Sequence, residues 1–412
     1  MSDSSRPTSH GASEASGAQD PKRFDLFAPT PEHALLAQTL REFVEREVEP
    51  QAALHDREER FNLELFRKAG ELGLTGITLP EEYGGAGMDA LAAVQVIEAL
   101  STSDPGFGLT VLAHAILFAQ NFAVNASPEQ KARVLPDIAS GRHIGGLCMT
   151  EPEVGTDVLA MRTRAKRDGD FYVIEGTKTF ITNGGLDEHT LGDRFIVYAA
   201  TGEREISSFL VEKGMDGFRL GQKWTDKLGM RASFTAELVF DGVRVPAANR
   251  LGDEGQGTIH MMRNLEIERL VLAAQGTGIA QRCLRVMIDY ANERRAFGKP
   301  IREFGQIQRH IAEVFAEYRA ARTFVYDTAR RMDLEATGQR VDADATKLFA
   351  SQVGKRAADA AIQVLGGNGY MGEYVVSRLW RDAKLLEIGG GTLEAHHKNL
   401  AKDLSRDPSL VG

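Results

Sequence analysis

The chain changes its hydrophobic period twice, and this limits its fold more than any single motif does. From Pro31 to about Gly141, apolar residues such as Leu35, Leu36, Leu40 and Phe43 recur at three- and four-residue spacing, the repeat of helices with one buried face. Thr30 before Pro31 reads as an N-cap with proline in the first turn. Pro80-Glu81-Glu82-Tyr83-Gly84-Gly85 reads as a loop. Between about Gly145 and Val245 short aromatic and β-branched runs take over: Phe171-Tyr172-Val173-Ile174, Phe195-Ile196-Val197-Tyr198 and Ser208-Phe209-Leu210-Val211. This is the composition of antiparallel strands, with Asp168-Gly169-Asp170 as a hairpin turn. From about Gly257 to Lys402 helical spacing returns in the runs Val271–Ala291, Phe304–Met332 and Thr346–Leu365.

The predicted class is α+β, with a small β unit between two helical units and a cleft beside it as the natural ligand site. The 412 residues exceed one ordinary core. The expected division is a helical unit over 25–145, a β unit over 146–256 and a helical bundle over 257–412. Residues 1–24 are rich in Ser, Gly and Ala and read as a disordered tail, without the apolar core of a secretory signal or the arginines of a transit peptide.

Charge and cysteine content narrow the function. A net charge of -9 argues against nucleic acid as the main partner, yet allows one phosphorylated ligand held by local arginines. The two cysteines, Cys148 and Cys283, are far apart and lack metal-ligand spacing, so neither a metal site nor a disulfide framework is expected and a cytoplasmic location fits. No apolar run is read as long enough to span a bilayer, so no membrane partner is expected.

Several segments carry candidate chemistry. Met149-Thr150-Glu151-Pro152-Glu153-Val154-Gly155-Thr156-Asp157 is a polar turn after an apolar strand, able to offer hydroxyls and N–H groups to a ring cofactor or a phosphate. Gln363-Val364-Leu365-Gly366-Gly367-Asn368-Gly369-Tyr370 ends a helix in glycines, but it does not open a helix after a strand, so it is no dinucleotide fingerprint. With Phe180-Ile181-Thr182-Asn183-Gly184, Lys227-Leu228-Gly229-Met230-Arg231, Arg294-Arg295-Ala296-Phe297-Gly298-Lys299 and Arg381-Asp382-Ala383-Lys384 between and after them, the ordered set resembles the acyl-CoA dehydrogenase family from about Asp25 to Asp403.

The resemblance implies an N-terminal helical domain, a middle β-barrel domain and a C-terminal four-helix bundle. It also implies a homotetramer, FAD as cofactor, an acyl-CoA substrate and electron-transfer flavoprotein as electron acceptor. Carried over by position, Thr150, Thr156, Phe180 and Thr182 line the flavin, with Phe180 where Trp is frequent. Arg294, Phe297, Gln306, Gln363, Gly366 and Gly367 reach the FAD of a neighbouring subunit. Thr392 and Glu394 hold the chain's own cofactor, while Arg269 and Thr156 contact substrate.

The family's usual base is a Glu just before a Gly-Thr pair. Here Leu386-Glu387-Ile388-Gly389-Gly390-Gly391-Thr392 places Gly390 there. The isovaleryl-CoA dehydrogenase branch carries its base on a helix, and the matching Leu265-Glu266-Ile267-Glu268-Arg269-Leu270 points to Glu268. On a helix Met261, Leu265, Glu268 and Leu272 share a face, so Glu268 is a lone carboxylate in an apolar stripe and Glu266 lies elsewhere. Apolar walls raise a carboxylate's pKa, as a base acting near neutrality needs. An ion pair at a bundle seam is the alternative for Glu268, and Glu387 is the second candidate base. Gly390 keeps its main-chain N–H, a donor to the thioester carbonyl. Without a side chain there, extra room favours a branched, alicyclic or otherwise bulky short acyl group. His396 and His397, where relatives often carry arginines, are read as CoA contacts, solvent-facing caps or specificity residues, with the solvent-facing reading favoured. An oxidase or monooxygenase on the same fold is the alternative activity, and a non-catalytic binding protein a more distant one.

Overall fold

In the computed structural model of the chain, residues 25–411 are described; the tail assigned to 1–24 lies outside the described residues. The first unit holds α1 (Pro31–Phe43), α2 (Glu49–Glu58), α3 (Leu63–Glu71), α4 (Ala90–Ser101), α5 (Pro105–Leu112), α6 (Asn121–Asn125) and α7 (Pro128–Ala139). Thr30 caps α1 as expected: its hydroxyl accepts from the His33 N–H at 3.4 Å, and Pro31 opens the first turn. A π-helical stretch, Ala113–Gln120, joins α5 to α6, so Pro105–Asn125 is one helical run of 21 residues. This corrects the reading of the apolar runs: by length and composition this one could cross a bilayer. Most of it is buried in the protein, and core packing accounts for its apolarity.

The β unit contains β1 (Gly145–Cys148), β2 (Arg164–Asp168), β3 (Phe171–Thr182), β4 (Arg194–Ala200), β5 (Ile206–Glu212), β6 (Phe218–Lys223), β7 (Thr235–Pro246) and β8 (Arg250–Leu251). Hydrogen bonding follows the open path β6-β7-β3-β2-β4-β5-β8, with β1 parallel to β4. The predicted hairpin is present, Asp168 facing Phe171 across Gly169 at φ +57°. The path does not close on itself, but side chains do the closing. Tyr172 of β3 meets Phe209 of β5 at 4.9 Å between ring centroids, and Phe195 of β4 meets Phe218 of β6 at 5.4 Å. Strands distant along the path therefore share one apolar core, which gives the barrel-like form.

The last unit holds α8 (Gly257–Glu293), a short hairpin of β9 (Arg295–Ala296) and β10 (Lys299–Pro300), α9 (Gly305–Arg331), α10 (Arg340–Leu365), α11 (Val375–Leu385) and α12 (Leu393–Arg406). The helix expected from Val271 begins earlier, at Gly257, because the segment before Val271 hides buried polar residues that break the apolar period. The two helical units share a single core: Phe107, Val111 and Leu112 of α5 pack in one cluster with Leu270, Val271 and Ala274 of α8 and Val353 of α10. Where α8 crosses α10, glycines let the backbones touch. A Cβ added to Gly354 would lie 2.8 Å from the Gly276 carbonyl, and one added to Gly276 would overlap the Ala350 carbonyl.

Candidate active site

Glu268 lies on α8 with 8% of its surface exposed. The single apolar stripe expected around it is an understatement: Glu266, Ile267, Glu268, Arg269 and Leu270 are all buried, so the helix is covered on every side. Glu266 faces away and accepts the backbone N–H groups of Gly338 (3.2 Å) and Gln339 (3.0 Å), tying down the turn before α10. Among the described residues Glu268 has no such partner. Burial pushes its carboxyl up to about 7, against the pull of the Arg269 and Lys347 cations.

Gly390 meets Glu268 across the fold. A Cβ built on Gly390 would stand 3.3 Å from Glu268 Oε1. The two positions selected from the sequence therefore open onto one volume. That Cβ would also overlap Leu272 Cδ1, which corrects the expectation of extra room at Gly390: Glu268 and Leu272 fill the space a side chain would take. Gly390 and Gly391 have φ of +66° and +100°, conformations glycine adopts without strain. Glu387, the second candidate base, is engaged by Lys384 at 2.6 Å.

Behind this loop is a buried polar cluster that sequence reasoning missed. Lys347 Nζ, on α10, donates to the carbonyls of Leu386 (2.7 Å), Gly389 (2.8 Å) and Gly391 (2.9 Å). Burial pushes Lys347 down to about 7, while Glu268, Asp344 and Glu387 hold its charge in place. His396 is fully buried, which corrects the favoured solvent-facing reading. Its Nδ1 lies 2.9 Å from Asp344 Oδ1 and its Nε2 lies 3.1 Å from the Gly391 carbonyl. Both partners are acceptors, so the neutral ring satisfies one and the imidazolium both. Burial lowers the His396 pKa although Asp344 raises it. Arg269 departs from the expected contact with CoA: it is buried, turned into the bundle and paired with Asp344 at 2.7 Å. His397 is exposed.

The turn after β1 is held from beneath. Glu151 Oε1 accepts Lys178 Nζ at 2.8 Å, and its carboxylate takes the backbone N–H groups of Arg162 (2.6 Å) and Thr163 (2.9 Å); Lys178 also reaches the Met149 carbonyl at 3.0 Å. Lys178 and Glu151 are both buried. Glu151→Ala strands the lysine charge and is expected to cost about 3–5 kcal/mol of stability, read by denaturant unfolding, together with weaker retention of cofactor. Above this support, Thr150 and Thr182 are half-buried and Thr156 is exposed. Phe180 sits at φ +58° where the β3–β7 register slips, and 62% of it is exposed. Trp224, also missed from the sequence, stacks obliquely on Phe180 at 5.3 Å and donates from Nε1 to Thr179 Oγ1 at 3.1 Å. An aromatic face standing clear of its sheet beside a row of hydroxyls suits a flavin ring with a polar edge. Thr392 caps α12 by accepting from the Ala395 N–H at 3.2 Å, next to the Gly390 loop, and Glu394 is exposed in the first turn.

The remaining expected cofactor residues lie elsewhere. Arg294 ends α8, roughly 39 Å beyond Glu268 at about 1.5 Å per residue. Asn368 bonds Tyr290 Oη at 2.9 Å, which brings the Gln363–Tyr370 segment to the same end. Arg294, Gln306, Gln363, Gly366, Gly367 and Phe297 (95% exposed) all face outward there, and side chains added at Gly366 or Gly367 would meet open space. The structure thus brings Glu268, Gly390 and Thr392 together and sets this second group apart.

The chain matches the descriptions "Acyl-CoA dehydrogenase, N-terminal domain" over residues 30–142, "middle domain" over 146–243 and "C-terminal domain" over 255–405. It is 40% identical over 388 residues to the mitochondrial isovaleryl-CoA dehydrogenase of Oryza sativa subsp. japonica, covering 93% of each chain. Among solved structures it resembles a glutaryl-CoA dehydrogenase from Mycobacterium smegmatis in complex with FADH2, at 30% identity and a TM-score of 0.85, over 92% of this chain and 95% of that one. It also resembles a chain from "Electron transferring flavoprotein of Acidaminococcus fermentans: Towards a mechanism of flavin-based electron bifurcation", at 37% identity and a TM-score of 0.88, over 92% and 99% of the two chains.

Proposed function

The chain belongs to the acyl-CoA dehydrogenase family of FAD-dependent oxidoreductases, and from that membership we propose that Glu268 is the base that removes the α proton of its acyl-CoA thioester. The observation that carries this assignment is the 3.3 Å between Glu268 Oε1 and the point where a side chain at Gly390 would begin. A carboxylate on α8 thus fills the volume that a carboxylate on the loop would otherwise enter.

The chain's own groups divide the work. Glu268 takes the α proton onto its carboxylate. The Gly390 N–H donates to the thioester carbonyl, which makes that proton more acidic. Thr150, Thr156, Phe180, Thr182, Thr392 and Glu394 hold the cofactor beside the reacting carbons. FAD held by these residues would supply the hydride acceptor for the β hydrogen, and with the α proton on Glu268 the product would be a 2-enoyl-CoA. Arg269 acts through Asp344, within the cluster behind the Gly390 loop.

The proposed substrate is a short branched, alicyclic or otherwise bulky acyl-CoA, and the proposed acceptor is electron-transfer flavoprotein. The likeness to the rice isovaleryl-CoA dehydrogenase supports the first, and the likeness to the Acidaminococcus chain supports the second. The distance from Glu268 to the Arg294 end of α8 supports a homotetramer in which those outward-facing residues serve a neighbour's FAD. The test is anaerobic bleaching of oxidised flavin across straight, branched, alicyclic and dicarboxylic acyl-CoAs. Bleaching fastest with the bulky short chains is expected; faster bleaching by long straight chains would overturn the substrate assignment. Rapid peroxide formation without a mediator would instead show an oxidase.

The base must be ionised to act, and its carboxyl is pushed up to about 7. The kcat/KM profile of the free enzyme is therefore expected to fall about tenfold per pH unit below about 7. A profile flat down to pH 5 would show that Glu268 is not the group titrating.

A further inference from the structure

We propose that Lys347 is a positioning residue for this reaction, holding the Gly390 peptide so that its N–H points at the substrate thioester carbonyl. The inference rests on the assignment of Gly390 as the carbonyl's donor. Its starting point is the peptide between Gly389 and Gly390. In a trans peptide the C=O and the following N–H point in opposite directions. The Gly389 carbonyl points to Lys347 Nζ at 2.8 Å, so the Gly390 N–H points away from Lys347. Among the described residues no hydrogen bond uses that N–H. It is a fixed donor with its acceptor still to come.

The three contacts of Lys347 explain why the donor is fixed. Leu386, Gly389 and Gly391 span the whole bend, and each gives its carbonyl to the same nitrogen. Three acceptors require three N–H bonds, which only the ammonium has. A glycine triplet is otherwise the most conformationally free segment a chain can contain. Burying a lysine at that point has an electrostatic cost that an apolar side chain would avoid. What the lysine adds is a single defined orientation for a peptide that would otherwise sample several.

The experiment compares two ligands of the FAD-loaded enzyme by calorimetry: but-2-enoyl-CoA, which has the thioester carbonyl, and S-butyl-CoA, which lacks it. Lys347→Met is expected to weaken but-2-enoyl-CoA about tenfold while S-butyl-CoA changes less than twofold, with kcat falling more than KM rises. Equal weakening of both ligands would mean general loosening, and no weakening of either would mean that the clamp is idle; both outcomes overturn the proposal. If the Met variant does not accumulate as folded protein, Lys347→Gln, with fewer donors on a shorter stem, carries the same comparison with the same two overturning outcomes. A wild-type enzyme that shows no preference for the carbonyl ligand would instead overturn the role of Gly390 itself.

Discussion

Glu268→Gln is expected to keep its FAD and its fold while flavin reduction by substrate slows about a thousandfold or more. Gln matches Glu in shape but cannot accept the α proton. The stability of the variant separates lost chemistry from lost structure. The folded-state carboxyl, at about 7, is raised above its ordinary value of 4.5. The stability linked to its protonated form is fully present below pH 4.5 and is lost as pH rises through 7, because the folded protein must then hold a buried charge. Gln removes that penalty, worth about 3 kcal/mol. The variant should therefore melt higher than the parent at pH 8 and close to it at pH 4.5. Rapid-mixing anaerobic reduction and thermal melts at the two pH values check both halves. Reduction at the parent rate, or a lower melting point at pH 8, would show that the buried carboxylate is not what it has been taken to be.

The second large effect comes from moving the base. Glu268→Gly combined with Gly390→Glu returns a carboxylate to the same volume from the loop side. On its own this pair should recover little, since the new Cβ overlaps Leu272 Cδ1 and a non-glycine residue at φ +66° is strained by roughly 1–2 kcal/mol. Adding Leu272→Ala removes the overlap. The triple variant is expected to reduce flavin at least about a hundredfold faster than Glu268→Gly alone, within the range that general base catalysis supplies. Leu272→Ala empties buried space and is expected to destabilise by about 2–5 kcal/mol, so rates are compared well below the melting temperature. Full recovery by the pair without Leu272→Ala would show that Leu272 yields freely. No recovery in the triple variant would show that the two positions do not serve the same carbon.

Much of this was legible in the residues because the signals are local. Thr30 and Pro31 announce the start of α1, Asp168-Gly169-Asp170 announces a turn, and Phe195 to Tyr198 is apolar enough to be a buried strand. Glu268 was selected as the candidate base from the resemblance and from its neighbours on one helix. Lys347, Asp344 and His396 were not found, because their meaning depends on partners brought together only by the fold: Lys347 serves carbonyls beyond the end of α11, and His396 pairs with an aspartate on another helix. A lysine three residues after an aspartate looks the same in sequence whether water or protein surrounds it. Trp224 was missed for a related reason, being an ordinary aromatic until β3 slips register and turns Phe180 toward it. Arg269 was carried over by position as a substrate contact, whereas in the fold Asp344 draws it inward.

The crossing of α8 and α10 has a mechanical side. One helix carries the base and the other carries the lysine that orients the loop, and the two touch backbone to backbone at Gly276 and Gly354. The joint acts as a bolted hinge between two arms, with Glu268 and Lys347 each about two turns away from it. A methyl group at the joint is a shim, and its thickness reappears about two turns on as misalignment between base and donor. Alanine at Gly276 or Gly354 would detune the reaction without touching any reacting atom, so the margin for error in the chemistry is set at a place where no chemistry happens.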